Sequence, residues 1–457
     1  MSITSKYKFY AASSFQEGVF FKHLYFRAHV FPFNIHFSKI VSSLDLNAFK
    51  KAAEAIIERH EIFRTKLVLI DGAVRQKVFP HKNKIPRIII KKAATAEKAE
   101  EIRNRERNRI FSPTKMPWLS IVIVRLPNSF YEINVSIPHF ISDADSISIL
   151  KQELSLCYNS FRSGQEAGHS PTFQFGEYQD ICEHELSNAK GLKHKIYWQV
   201  TLRNIPHQNL STVFSFNNTK RINSYKEFIK NEIKELLDHV PDVKIEKIYG
   251  KVSFLVPKKG AAIWFSLNNE KLNRFRDLVQ KNNVSIATLL ISSLLLLLKK
   301  LTNSESVTIG INSTLRDNEK LKNAIGFLIN TMLVNFKTDH SSGFEELLKT
   351  THLSYLRSLR HKIYSIDEAL YNSDISLEKA GSLFLNIIES PDEVADKQIN
   401  GVITHDNFNY SPYFDIDIHI RIRQNSIGFQ CQYKTDVFES KTMEHIFSEY
   451  IGILNSL

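Results

Sequence analysis

One stretch, residues 130 to 161, constrains this chain more than any other. Tyr131, Ile133, Val135 and Ile137 alternate with Glu132, Asn134 and Ser136, the period of a β-strand with one apolar face. Ile147, Leu150, Leu154, Cys157, Tyr158 and Phe161 then recur at three- and four-residue spacing, the stripe of an amphipathic helix, with Asp145 or Ser146 placed to cap its start. Between the two lies Pro138-His139-Phe140-Ile141-Ser142-Asp143-Ala144-Asp145-Ser146. His139 is therefore expected in a strand-to-helix turn. Such a turn holds a side chain on rigid scaffolding and leaves the N–H groups of a helix start available to developing negative charge, which suits acyl transfer. Spacing alone does not decide the matter: with 17 histidines, about one His-x-x-x-Asp match arises by chance, and the chain contains one. A strand-end histidine held by a nearby carboxylate fits the same pattern.

At 457 residues the chain is long for one core, and two lobes of roughly 200 residues each are expected, divided at 1–180 and 181–457. Apolar content of 43% with 24% charged residues is that of an ordinary globular protein. The most apolar run, Ile286 to Leu298, is interrupted by Thr288, Ser292 and Ser293 and is too short to span a bilayer, so it reads as a buried helix and no membrane association is expected. Met1 to Tyr10 has no apolar run of the secretory type. Cys157, Cys182 and Cys431 are odd in number and far apart, which argues against a disulfide framework or a zinc site and for a cytoplasmic location. The net charge of +12 favours acidic partners. Its lysines are spread, with local density only at Lys91 to Arg109 and Lys220 to Lys258 and no nucleic-acid-binding motif, so nucleic acid is not expected. A solvated basic surface or docking of an acidic carrier domain remains.

Asp45 starts a helix with the stripe Leu46, Phe49, Ala53, Ile56 and Ile57, and Asp71-Gly72 joins two strand-like stretches as a hairpin. Residues 94 to 110 form a charged, mostly solvated helix. One helix is expected from Tyr225 to Leu237, another from Asn268 or Asn269, and further ones over Ser342 to Arg360 and at the C-terminus. Ile416, Ile418, Ile420 and Ile422 alternate with Asp417, His419 and Arg421 in a strand pairing with Ile427 to Tyr433, and Asp415 and Asp417 are expected on a solvated face. Gly326 suits a tight turn or a close backbone approach. The fold class is α/β (α+β).

Taken together, Ser13 to Gln16, Arg59 to Thr65, Pro138 to Ser146, Tyr197-Trp198, Arg316, Gly326 to Thr331 and Tyr433 to Phe438 resemble, in order, the motifs of nonribosomal peptide synthetase condensation domains. That resemblance implies two chloramphenicol-acetyltransferase-like lobes in a V-shaped pseudo-dimer with a central tunnel. It implies transfer of an acyl or aminoacyl group, held as a thioester on a carrier protein, to an amine on a second carrier or free. Substrates would arrive on phosphopantetheine arms, with no tightly bound cofactor and no metal. His139 falls on the catalytic position, as base or positioning group, while Asp143 and Arg316 fall on a structural pair. Ala144, Ser146 and Asn330 are the candidates to face the oxyanion or line the tunnel.

Two departures bear on activity: Pro138 replaces the first histidine of the family motif, and Ala144 its glycine. Pro fixes φ and lacks a donor; Ala would crowd a position that needs positive φ or close thioester approach. They motivate a second reading, a degenerate domain acting as a recruitment scaffold, and an ester-forming acyltransferase using a diffusible alcohol is a third. Epimerisation and heterocyclisation fit less well. No adenylation signature or carrier site is visible, so a freestanding monomeric enzyme working with carriers on other chains is expected. His60, Arg64, Trp118 and Trp198 are read as structural.

Overall fold

The computed structural model describes residues 7–25, 34–80, 88–168, 173–203, 205, 260–338, 343–373, 383–389, 404–410, 412 and 414–457. The helix expected over Tyr225 to Leu237 lies outside them. The chain divides into two compact units. The first runs through Asn188 and also takes in Thr314–Ile329, which a single cut at residue 180 places with the second half.

In order, the first unit holds β1 (Lys8–Ala11), α1 (Ser14–Tyr25), β2 (Asn34–Val41), α2 (Leu46–Arg59), β3 (Thr65–Ile70), β4 (Ala73–Val78), β5 (Ile89–Lys92), α3 (Ala96–Arg107), β6 (Ser120–Arg125), β7 (Tyr131–Pro138), α4 (Ala144–Arg162) and α5 (Phe175–Leu186). Helix starts follow side-chain chemistry. Asp45 accepts from the Asn47 and Ala48 N–H groups to cap α2. Ser13 and Gln16 form a reciprocal capping box at α1, each side chain bonded to the other's backbone N–H. Asp71 and Gly72, both at positive φ, turn β3 into β4.

Strand β7 lies between β2 and β6 in a four-stranded sheet of order β2-β7-β6-β5. Its alternation is as expected, but both faces are buried. Helix α3 covers the polar one: Arg103 grips Glu132 at 2.7 and 2.9 Å, and the Ser136 hydroxyl donates to the Glu106 carbonyl. Ala99, Ile102 and Glu106 are buried in this layer, so α3 covers the sheet with one narrow face while most of the helix is exposed, as expected.

The second unit holds α6 (Ala189–Arg203), β8 (Gly260–Leu267), α7 (Asn269–Asn282), α8 (Ile286–Thr302), β9 (Ser306–Thr314), β10 (Ile329–Lys337), α9 (Phe344–Leu359), α10 (Ile366–Ser373), β11 (Leu383–Glu389), β12 (Thr404–Tyr410), β13 (Ile416–Ile422), β14 (Ile427–Lys434) and α11 (Ser440–Ser456). Its seven strands run in the order β10-β9-β11-β13-β14-β8-β12. The β13–β14 hairpin has the expected register, Ile416 opposite Tyr433 through Ile422 opposite Ile427. Its apolar face packs on α11, where Phe265 stacks on Phe429 at 4.3 Å and Tyr450 meets Phe429 edge-on. The leucine-rich α8 is buried along most of its length. No single described helix is long and apolar enough to cross a membrane. Asp417, expected on a solvated face, is 1% exposed because its carboxylate accepts the Phe414 N–H; Asp415 instead pairs with Lys434 at 2.6 Å.

Candidate active site

The sequence delivers His139 where β7 stops. Pro138 ends the strand opposite Asn34 with φ −69°, the value its ring imposes, so it fits the strand end without strain. One 3-10 turn, His139–Ile141, follows, tied by the Ser142 N–H to the His139 carbonyl at 3.2 Å and by the Ser142 hydroxyl to the Pro138 carbonyl at 3.0 Å.

His139 Nδ1 lies 2.6 Å from the Ser142 carbonyl oxygen. A carbonyl only accepts, so Nδ1 carries the proton and, in the neutral ring, Nε2 carries the lone pair. The ring meets Phe327 edge to face at 5.2 Å, and Phe327 stacks on Phe15 at 4.4 Å. Burial holds the imidazole below its ordinary pKa, and the Ser142 carbonyl and the Asp143 charge offset part of that shift. Burial thus favours the neutral imidazole, and the Ser142 carbonyl fixes its tautomer.

Asp143, not Asp145 or Ser146, caps α4. Its Oδ1 accepts from the Ser146 N–H at 2.7 Å, the Ser146 hydroxyl at 2.6 Å and Arg316 Nη2 at 2.8 Å; its Oδ2 accepts from the Leu328 N–H and Arg316 Nη2, both at 3.0 Å. Arg316 Nη1 donates to the carbonyls of Leu321 and Ala324, and Nε stands 3.3 Å from Asp145. A buried carboxylate so fully supplied with donors organises the turn and has no capacity left to act as a base.

The three candidate oxyanion or lining residues separate. Ala144 is exposed, opens α4 and has an ordinary negative φ, so the alanine causes no backbone strain. The Asp143 cap takes the Ser146 N–H and leaves that of Ala144 at the helix start. Ser146 is fully buried: its oxygen accepts from the Gly326 N–H and Arg316, and its proton lies within reach of Asp143 and the Gly326 carbonyl. Both Asn330 amide hydrogens go to the carbonyls of Lys362 and Tyr364. Ser146 and Asn330 are therefore tie points, their donors committed inside the protein.

The remaining motif residues are structural. His60 bonds Glu153 at 2.7 Å, Arg64 donates to the Phe79 carbonyl, and the indole N–H groups of Trp118 and Trp198 reach the carbonyls of Ser112 and His361. Gly326 meets the expectation of a close approach: a Cβ there would stand 2.2 Å from the Phe175 ring. Among the described residues no group of three or more His, Cys, Asp or Glu could hold a metal ion. Sequence reasoning did not single out Ser142, Phe15 or Phe327 for the site. Ser142 acts through its backbone, which no residue type signals, whereas Phe15 and Phe327 lie within two of the motifs and were open to notice.

The condensation domain family model matches residues 6–240 and 257–457. Bacitracin synthase 2 of Bacillus licheniformis is 21% identical over 425 residues, 91% of this chain, and the chain spans 14% of that relative's length. The condensation domain of the monacolin K polyketide synthase MokA superposes with a TM-score of 0.73 at 17% identity, covering 98% of this chain and 96% of that one. The X-domain of teicoplanin biosynthesis, in its complex with OxyB, superposes at 0.74 and 14% identity, covering 100% and 94%. These likenesses give the two-lobed fold of such domains. With the family model matched along nearly its whole length, the chain belongs to the condensation domain family.

Proposed function

We propose that this chain transfers an acyl or aminoacyl group from a carrier-bound phosphopantetheine thioester to an amine, forming an amide. The observation that carries the reading is His139 Nδ1 fixed on the Ser142 carbonyl, which puts the ring's lone pair on Nε2. In this reading Nε2 takes the proton as the amine nitrogen bonds to the thioester carbon. The Ala144 N–H faces the developing oxyanion. The C–S bond then breaks, and the thiol leaves with the proton from His139. Carrier domains, on this chain's own polypeptide or on others, are its partners, in a reducing compartment where Cys157, Cys182 and Cys431 stay free thiols.

The competing reading, a recruitment scaffold, has the X-domain–OxyB complex in its favour. A producing strain lacking the gene, complemented with wild type or His139→Ala and compared by mass spectrometry, separates the two. Restoration by wild type alone, at equal expression, supports transfer, and restoration by both leaves the scaffold.

A further inference from the structure

The second unit carries a row of side chains that the chemistry at His139 does not use. Thr331 of β10, Asn312 of β9, Asn386 of β11, His419 of β13, Gln430 of β14 and Trp264 of β8 come from successive strands of the seven-stranded sheet. Asn386 pairs with His419, His419 with Gln430 and Gln430 with Trp264 in register, so they share the face opposite the apolar layer. The row crosses five inter-strand spacings, about 24 Å.

Its hydrogen bonds run one way. The Thr331 hydroxyl donates to Asn312 Oδ1 at 2.8 Å, Asn312 Nδ2 donates to Asn386 Oδ1 at 3.4 Å, and Asn386 Nδ2 faces His419 Nδ1 at 3.4 Å. His419 Nδ1 is thus the acceptor, which leaves the ring proton on Nε2. Burial, assisted by Arg421, brings its pKa down to about 4, so the row is uncharged at neutral pH. Two strands on, the Trp264 indole N–H is shielded from solvent with no hydrogen-bond partner among the described residues. A donor so placed is costly unless something accepts from it. All six residues are half-buried, so the face is neither a sealed core nor an open surface.

An uncharged row with two N–H donors beside the Gln430 carboxamide matches an extended chain that bears carbonyls. A hydrocarbon chain would leave both donors unpaired, the situation in which polar sites discriminate most strongly.

We propose that this row is a specificity surface that binds a peptide-like part of the substrate through its amide carbonyls and selects it over a fatty acyl chain. The inference rests on the acyl-transfer reading for its biological meaning, but its test does not depend on turnover.

The full chain, labelled with 15N-tryptophan, is titrated with N-acetyl-glycyl-glycinamide or with 1-hexanol while the three indole N–H signals are followed; Trp264→Phe assigns the one from the row. The Trp264 signal moves with the dipeptide amide and not with hexanol. His419→Phe weakens the dipeptide about tenfold, the loss of one good hydrogen bond, while His419→Gln, which restores a donor near Nε2, stays within about twofold. Unmoved Trp118 and Trp198 signals show that each variant is folded. Three results overturn the proposal: no Trp264 response to the dipeptide, an equal response to both probes, or wild-type affinity in His419→Phe. His139→Ala leaves the titration unchanged, so loss of product with intact binding, or turnover without the row's selectivity, tells the two readings apart.

Discussion

Asp143 and Arg316, 173 positions apart, share a single guanidinium nitrogen: Nη2 of Arg316 lies 2.8 Å from one carboxylate oxygen of Asp143 and 3.0 Å from the other. Both side chains are almost entirely buried. Nη1 donates to two backbone carbonyls and Nε stands near Asp145, so the arginine staples the segment 316–328 to the turn that carries His139.

Removing one member strands the other's charge in the interior. Arg316→Leu is expected to lower unfolding stability by about 3–5 kcal/mol, as for other broken buried pairs. Urea denaturation of the full chain measures it. Asp143→Asn with Arg316→Leu is expected to cost less than the two single changes added together, because neither charge is then left alone.

In the role proposed for it, His139 can act as a base only when neutral. Burial sets its pKa below the ordinary value of about 6.5, so kcat/KM is expected to stay flat to below that pH and to fall as acid protonates the ring. Phe327→Leu opens the edge-to-face contact and moves the acid limb toward higher pH. A pH–rate profile of both proteins decides this, and coincident limbs would remove the aromatic contact from the account.

Gly326→Ala sets a methyl group against the Phe175 ring. A loss of about 1–3 kcal/mol is expected, the usual range for overpacking. Phe175→Leu in the same chain should recover part of it, and thermal unfolding of the three variants provides the comparison.

Three histidines, His36, His361 and His419, are held near pKa 4, mainly by burial. The unfolded chain binds protons on them near 6.5, so it holds more protons than the folded one between those values. Folding stability is therefore expected in full above about pH 6.5 and to be lost as the pH falls toward 4. Urea midpoints at pH 7.5, 5.5 and 4.5 test the sign. His36→Gln should flatten part of the slope.

Period and capping chemistry made β7, α4, the β13–β14 hairpin and the buried α8 legible, because each pattern is local. Asp145 and Ser146 were the caps the spacing suggested, and the role fell to Asp143 because Arg316 and the Leu328 N–H supply donors that sequence spacing does not contain. The polar face of β7 read correctly as polar, yet its burial depends on α3 bringing Arg103 to Glu132. Ala144 and Pro138 looked like threats to the turn; both backbones are ordinary, since one residue starts a helix and the other ends a strand. The row from Thr331 to Trp264 was invisible because its residues, scattered over the second half of the chain, become neighbours only once the strand order is known.

The return of Thr314–Ile329 into the first unit bears on how the protein is made. When Asn188 leaves the ribosome, the turn around His139 still lacks Arg316 and Leu328, and roughly 140 further residues, on the order of ten seconds or more of synthesis, separate the nascent unit from its missing piece. During that wait the Asp143 carboxylate has only its own helix to bind it. Completion of the first unit therefore waits for residues 314–329, and residues 1–188 expressed alone are expected to remain loosely packed around the turn that carries His139.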